Sequence, residues 1–142
     1  MKKDHLLFFI VFVIGCTTPS AHHPFEHYQS IAYNLVNKGW DALSRRNFTA
    51  VHEITDQCAQ LYSEQAKSLN DKCKSNDFDK CSLLNDVAQC LYIKGEAYLQ
   101  TNNYSESQKI CGEINKWYFN SQIYDPNGWS PWKPSEACKS KI

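Results

Sequence analysis

Cys58, Cys73, Cys81, Cys90, Cys111 and Cys138 are the side chains best equipped for chemistry in this chain. A thiol can act as a nucleophile, ligate a metal or form a disulfide, and spacing separates these options. No close CxxC pair is present, so a zinc site is disfavoured. The six form an even set once Cys16, at the end of an apolar N-terminal run, is set apart, and an even set in an exported domain points to three disulfides. Cys73 and Cys81 flank the polar stretch Lys74-Ser75-Asn76-Asp77, which favours a local bridge. The other four are read as Cys58 with Cys90 and Cys111 with Cys138, the alternative being Cys90 with Cys111 and Cys58 with Cys138. Oxidised cysteines are lost as nucleophiles.

Other groups offer less. His22, His23 and His27 cluster near the start and could hold copper, nickel or zinc, set against the plainer expectation of a solvated tether. The aromatic group Trp117, Tyr118, Phe119, Tyr124, Trp129 and Trp132 suits a binding surface, with Trp117, Tyr124, Trp129 and Trp132 as the candidate contacts. Its competing role is a hydrophobic cap on the end of a helical array. No GxSxG, HExxH or phosphate-cradling glycine loop occurs. Glu53 and Asp56 lie about one helical turn apart, a spacing more usual for a solvated face than for acid–base catalysis. The expectation is a protein that is no enzyme and carries no cofactor. Lys and Arg balance Asp and Glu at 15 each, which gives no field to attract nucleic acid.

The elements that must position these groups are helical. From Glu26 to Arg45, Tyr28, Ile31, Leu35, Val36, Trp40 and Leu43 fall along one helical face. Phe48 to Leu69 repeats the pattern through Val51, Ile54, Cys58, Leu61 and Tyr62; Cys81 to Leu99 does so through Leu84, Val87, Ala88, Leu91, Tyr92 and Ala97. Tyr104 to Phe119 makes a fourth segment, after the break at Thr101-Asn102-Asn103. Period-two runs are few, so an all-α fold of four amphipathic helices is predicted, arranged as two antiparallel hairpins. From Ser121 onward, Pro and Gly are dense around Tyr124 to Trp132, and an irregular aromatic tail held by Cys138 is expected.

A shift of 56 residues places Leu35 on Leu91, Lys38 on Lys94, Gly39 on Gly95, Leu43 on Leu99, Asn47 on Asn103, Phe48 on Tyr104 and Ile54 on Ile110. Leu91, Gly95, Tyr98, Tyr104 and Ser107 resemble the tetratricopeptide pattern; the first copy keeps Leu35, Gly39, Ala42 and Phe48 but has Val51 where a small residue belongs. The repeat exceeds that family's roughly 34 residues, with the extra sequence between Ser63 and Ser82. The resemblance implies a scaffold or adaptor that binds protein or peptide. A plain disulfide-bonded four-helix array is the alternative.

The N-terminus supplies the compartment. Lys2 and Lys3 precede an apolar run of about nine residues, Leu6 to Ile14, too short to span a bilayer and of signal-peptide length. Val13-Ile14-Gly15-Cys16 resembles the bacterial lipobox, which implies lipid on Cys16 after cleavage before it. The alternative is secretion after a cut at Ser20 or Ala21. The expected organisation is a signal peptide over 1–15, a lipidated Cys16 and polar tether over 16–25, a helical domain over 26–120 and a tail over 121–142. The predicted protein sits on a bacterial membrane, facing the periplasm or the exterior, and binds an envelope protein or peptide. Small-ligand or metal binding, and inhibition of an exported enzyme, are the competing functions.

Overall fold

The computed structural model describes residues 24–73, 78–123 and 132–139. The leader, Cys16, His22 and His23 lie outside these residues, as do Tyr124 and Trp129. Helices dominate the described residues, which contain no strand: α1 is Pro24–Ser44, α2 Phe48–Leu69, α3 Phe78–Gln100, α4 Tyr104–Trp117 and α5 Pro134–Lys139.

Two connections show how short-range chemistry sets the helix ends. Between α1 and α2, Arg46 takes a left-handed φ of 57°, and between α3 and α4, Asn102, 56 residues on, takes 59°. The bonds that close the turns match: the Asn47 N–H donates to the Ala42 carbonyl at 2.9 Å, and that of Asn103 to the Tyr98 carbonyl at 2.8 Å. The Asn47 side chain then caps α2 by accepting from the Ala50 N–H at 3.2 Å. Asn103 has nearly the same backbone angles but its side chain makes no such bond.

The glycines predicted to let helices approach sit at those approaches. A Cβ on Gly39 would lie 3.3 Å from Ile93 Cδ1 on α3 and 3.9 Å from Ile54 Cγ2 on α2. A Cβ on Gly95 would lie 3.6 Å from Ile110 Cγ2 on α4. Thus the two glycines aligned by the 56-residue shift each lie within reach of one of the two isoleucines it aligns, Ile54 and Ile110.

Helix α3 is the centre of the fold, packing against each of the other four helices. Its burial follows from that position: besides Leu84, Val87, Ala88, Leu91 and Ala97, it buries Leu83, Cys90 and Ile93 on its other sides. A helix covered all round loses the single apolar stripe of a surface helix. On α2 the pattern differs from expectation at one point. Leu61 is exposed, while Thr55 is buried with its hydroxyl donating to the Val51 carbonyl at 2.8 Å.

Three disulfides join the elements: Cys58–Cys90 links α2 to α3, Cys73–Cys81 links the turn after α2 to α3, and Cys111–Cys138 links α4 to α5. This is the favoured pairing of the sequence, and the alternative with Cys90–Cys111 is excluded. Disulfides of this number belong to an oxidising compartment.

The tail departs from the irregular loop expected of it. Pro134 starts α5, because proline fits the first turn of a helix, where its missing N–H has no intrahelical partner to lose. Before α5, Ile123 and Trp132 exchange two backbone hydrogen bonds of 2.7 and 2.8 Å. Helix α4 ends at Trp117, short of the expected Phe119, because Tyr118 leaves the helical region at φ −130°.

Candidate ligand groove between α1 and α3

The tail does more than cover the bundle. After α4 the chain is fastened at two points: the Asn120 side chain donates to the Asn70 carbonyl at 2.8 Å, and the Gln122 N–H donates to Asn85 Oδ1 at 2.8 Å. The second bond carries Gln122 and Ile123 to the side of α3 that faces α1. There they close one wall of an open groove of about 340 Å³. Tyr33, Asn37 and Trp40 line it from α1, and Asn85, Asp86 and Gln89 from α3, with Val36 buried beneath.

The helical period explains this set. On α1, positions 33, 36, 37 and 40 recur at three- and four-residue intervals and share a face; on α3, positions 82, 85, 86 and 89 do the same. Of the lining aromatics, Trp40 has its ring centroid 6.4 Å from that of Tyr92, which Trp132 meets edge-on at 4.7 Å and 85°. Burial raises the Tyr92 phenol above its usual pKa. Tyr33 is the open member, 58 % exposed.

Asp86 is the one residue in this lining that carries a formal charge near neutrality. It is half-buried, and desolvation pushes its carboxyl pKa up from 3.8 to about 7. No hydrogen bond or ion pair reaches it among the described residues.

The sequence candidates are only partly gathered here. Trp132 does not line the groove and meets Trp40 only by way of Tyr92, while Trp117 sits elsewhere, on α4, with Lys116 Nζ 4.6 Å and Lys67 Nζ 5.8 Å from its ring centre. The proposed aromatic surface is therefore divided between two places as far as Trp117 and Trp132 are concerned. Tyr124 and Trp129 lie outside the described residues, and so does the side chain of His27. Among the described residues no group of three His, Cys, Asp or Glu side chains is placed to hold a metal ion.

Elsewhere, His52 lies with its ring 4.6 Å from that of Tyr98, and its pKa is lowered by burial and by Lys94, with Asp56 opposing. Lys94 Nζ in turn pairs with Asp56 at 2.5 Å, tying α3 to α2. The crevice beneath Gly95 has no room even for a water molecule.

Sequence reasoning missed Tyr33, Asn37, Asn85, Asp86 and Gln89. Their i, i+3, i+4 spacing was visible, but only the packing of α1 on α3 brings the two polar stripes together. No protein-family model, curated protein or solved structure matches this chain.

Proposed function

We propose that the chain is an exported lipoprotein, anchored through Cys16, that binds a protein or peptide segment in the groove between α1 and α3 and catalyses no reaction. The observation that carries this is the groove itself: an open, partly aromatic channel lined by amides and set between α1 and α3. Two antiparallel hairpins related to the tetratricopeptide design account for that arrangement. The matching turns at Arg46 and Asn102 support them, as do the contacts of Gly39 with Ile54 and of Gly95 with Ile110. In such a pair, α1 and α3 are the leading helices of their hairpins. The side-chain amides of Asn37 and Gln89 have both donors and acceptors to offer an extended backbone.

The three disulfides support export, and the lipobox-like Val13-Ile14-Gly15-Cys16 supports the anchor. With all six distal cysteines oxidised, no thiol nucleophile is left among them. Small-ligand binding is the second reading, favoured by a volume within the roughly 300–1,000 Å³ of small-molecule sites.

Tyr33 and Tyr104 give a matched test, because they are 58 % and 59 % exposed but only Tyr33 lines the groove. A photoreactive residue at each position, activated in intact cells, should yield a protein adduct from position 33 and none from 104. Adducts of equal strength from both, or none from 33, would remove the groove as the contact surface.

A further inference from the structure

We infer that the groove between α1 and α3 selects a ligand bearing an ammonium group, a lysine side chain or a free amine, with Asp86 as its acceptor. This rests on reading the groove as the binding site and adds the chemistry of what enters it.

Charge gives the first argument. Of the lining residues, α1 contributes Tyr33, Val36, Asn37 and Trp40, and the chain after α4 contributes Gln122 and Ile123; none carries a charge at neutral pH. On α3, Asp86 stands among Ser82, Asn85 and Gln89. The lining is therefore complementary to a cation and repels an anion. A half-buried carboxylate is costly when nothing compensates it, and stable folds usually provide a partner. Here no cation or donor reaches Asp86 among the described residues, so the compensation is left to a ligand.

The rest of the lining narrows the class. Tyr33 and Trp40 bring aromatic faces, which attract ammonium groups and pack well on methylene stems. The Asn37 and Gln89 side-chain carbonyls offer further acceptors for the remaining ammonium hydrogens. The amide oxygen of Asn85 is already engaged by the Gln122 N–H, which fixes the wall beside Asp86. A metal ion fits poorly, since a lone carboxylate among amides and aromatic rings lacks the several charged ligands a divalent cation takes. A guanidinium would be a weaker match, because its planar fork favours two parallel bonds to a carboxylate that is freely presented.

The test compares three probes on the full-length oxidised chain in detergent, followed through backbone and indole resonances: acetyl-Ala-Lys-Ala-amide, the same peptide with norleucine in place of lysine, and n-butylammonium. The lysine peptide should shift groove resonances, including the Trp40 indole, and bind at least about ten-fold more tightly than the norleucine peptide, as a charge-assisted bond implies. Asp86→Asn should bring the two peptides within about two-fold of each other. Equal binding of both peptides to the wild type would overturn the ammonium inference while leaving a peptide groove. Shifts from n-butylammonium that Asp86→Asn abolishes, with none from either peptide, would keep the inference and remove the peptide reading. Failure of both amine-bearing probes to shift groove resonances would overturn the inference. The lysine and norleucine comparison is made on the wild type, so it holds even if the variant fails to fold.

Discussion

Replacing Asp86 by Asn should stabilise the protein in alkaline solution and leave it nearly unchanged in acid. The sign follows from linkage. The folded chain holds the Asp86 proton up to about pH 7, whereas an unfolded chain releases it near the ordinary 3.8. Between those values the folded state binds more protons, so this residue's contribution to stability falls as pH rises from about 4 to about 7, and stays low above that. The full distance from 3.8 to about 7 corresponds to about 4 kcal/mol. Asp86 lies in an open groove that water still reaches, and screening there reduces the effect to about 1–2 kcal/mol. For a domain of this size that is roughly 4–10 °C in Tm. The assay is thermal unfolding of wild type and variant by circular dichroism at pH 4 and pH 8, taking the variant-minus-wild-type difference at each pH so that other carboxylates cancel. A variant gaining several degrees at pH 8 and about none at pH 4 is expected. The same difference at both values, or a variant less stable at pH 8, would refute the account of Asp86 as an uncompensated carboxylate.

Two further predictions concern the scaffold. Gly112→Ala, whose Cβ would meet nothing within 4 Å, should stabilise α4 by about 1 kcal/mol, while Gly39→Ala should forfeit most of that gain because its Cβ would press on Ile93 at 3.3 Å. Denaturant melts of the two variants check it, and equal gains would argue against close packing at Gly39. Replacing Cys58 and Cys90 together by Ala opens a loop of 32-residue separation, which corresponds to about 4 kcal/mol, against about 2.5 kcal/mol for Cys73 and Cys81 at a separation of 8. Both Cys58 and Cys90 are fully buried, so the loss of packing adds to the first figure. Equilibrium unfolding in urea should rank the pairs in that order, and the reverse ranking would contradict it.

Much of the scaffold is legible because it is local. Helix periodicity marks α1 to α4, and the 56-residue shift identifies Gly39 and Gly95 before any packing is known, because close approach of two backbones demands a missing side chain at both. The favoured cysteine pairing agrees with the structure for a related reason: Cys58 and Cys90 fall on the apolar faces of helices that pack together. What escapes the sequence is either masked by composition or made by assembly. The Pro and Gly density of Tyr124 to Trp132 suggests an irregular tail throughout, although Pro134 starts α5 two residues further on. Leu61 sits at a helical interval from Cys58 yet faces solvent, because α3 covers the side of α2 that carries Thr55 and Cys58. Asp86 lies between core positions Leu84 and Val87 and looks like an ordinary surface acid; its meaning arises only when Tyr33 and Trp40 of α1 are set opposite it.

The central claim, an exported and lipid-anchored domain closed by three disulfides, is tested most directly by the intact mass of the protein isolated from the membranes of cells expressing the full chain. The account predicts a chain beginning at Cys16, heavier by a diacylglyceryl or triacyl group, and lighter by six protons than the same chain after reduction. A lipid-free chain beginning at Ala21 or His22, or one whose mass does not rise by six protons on reduction, would contradict it.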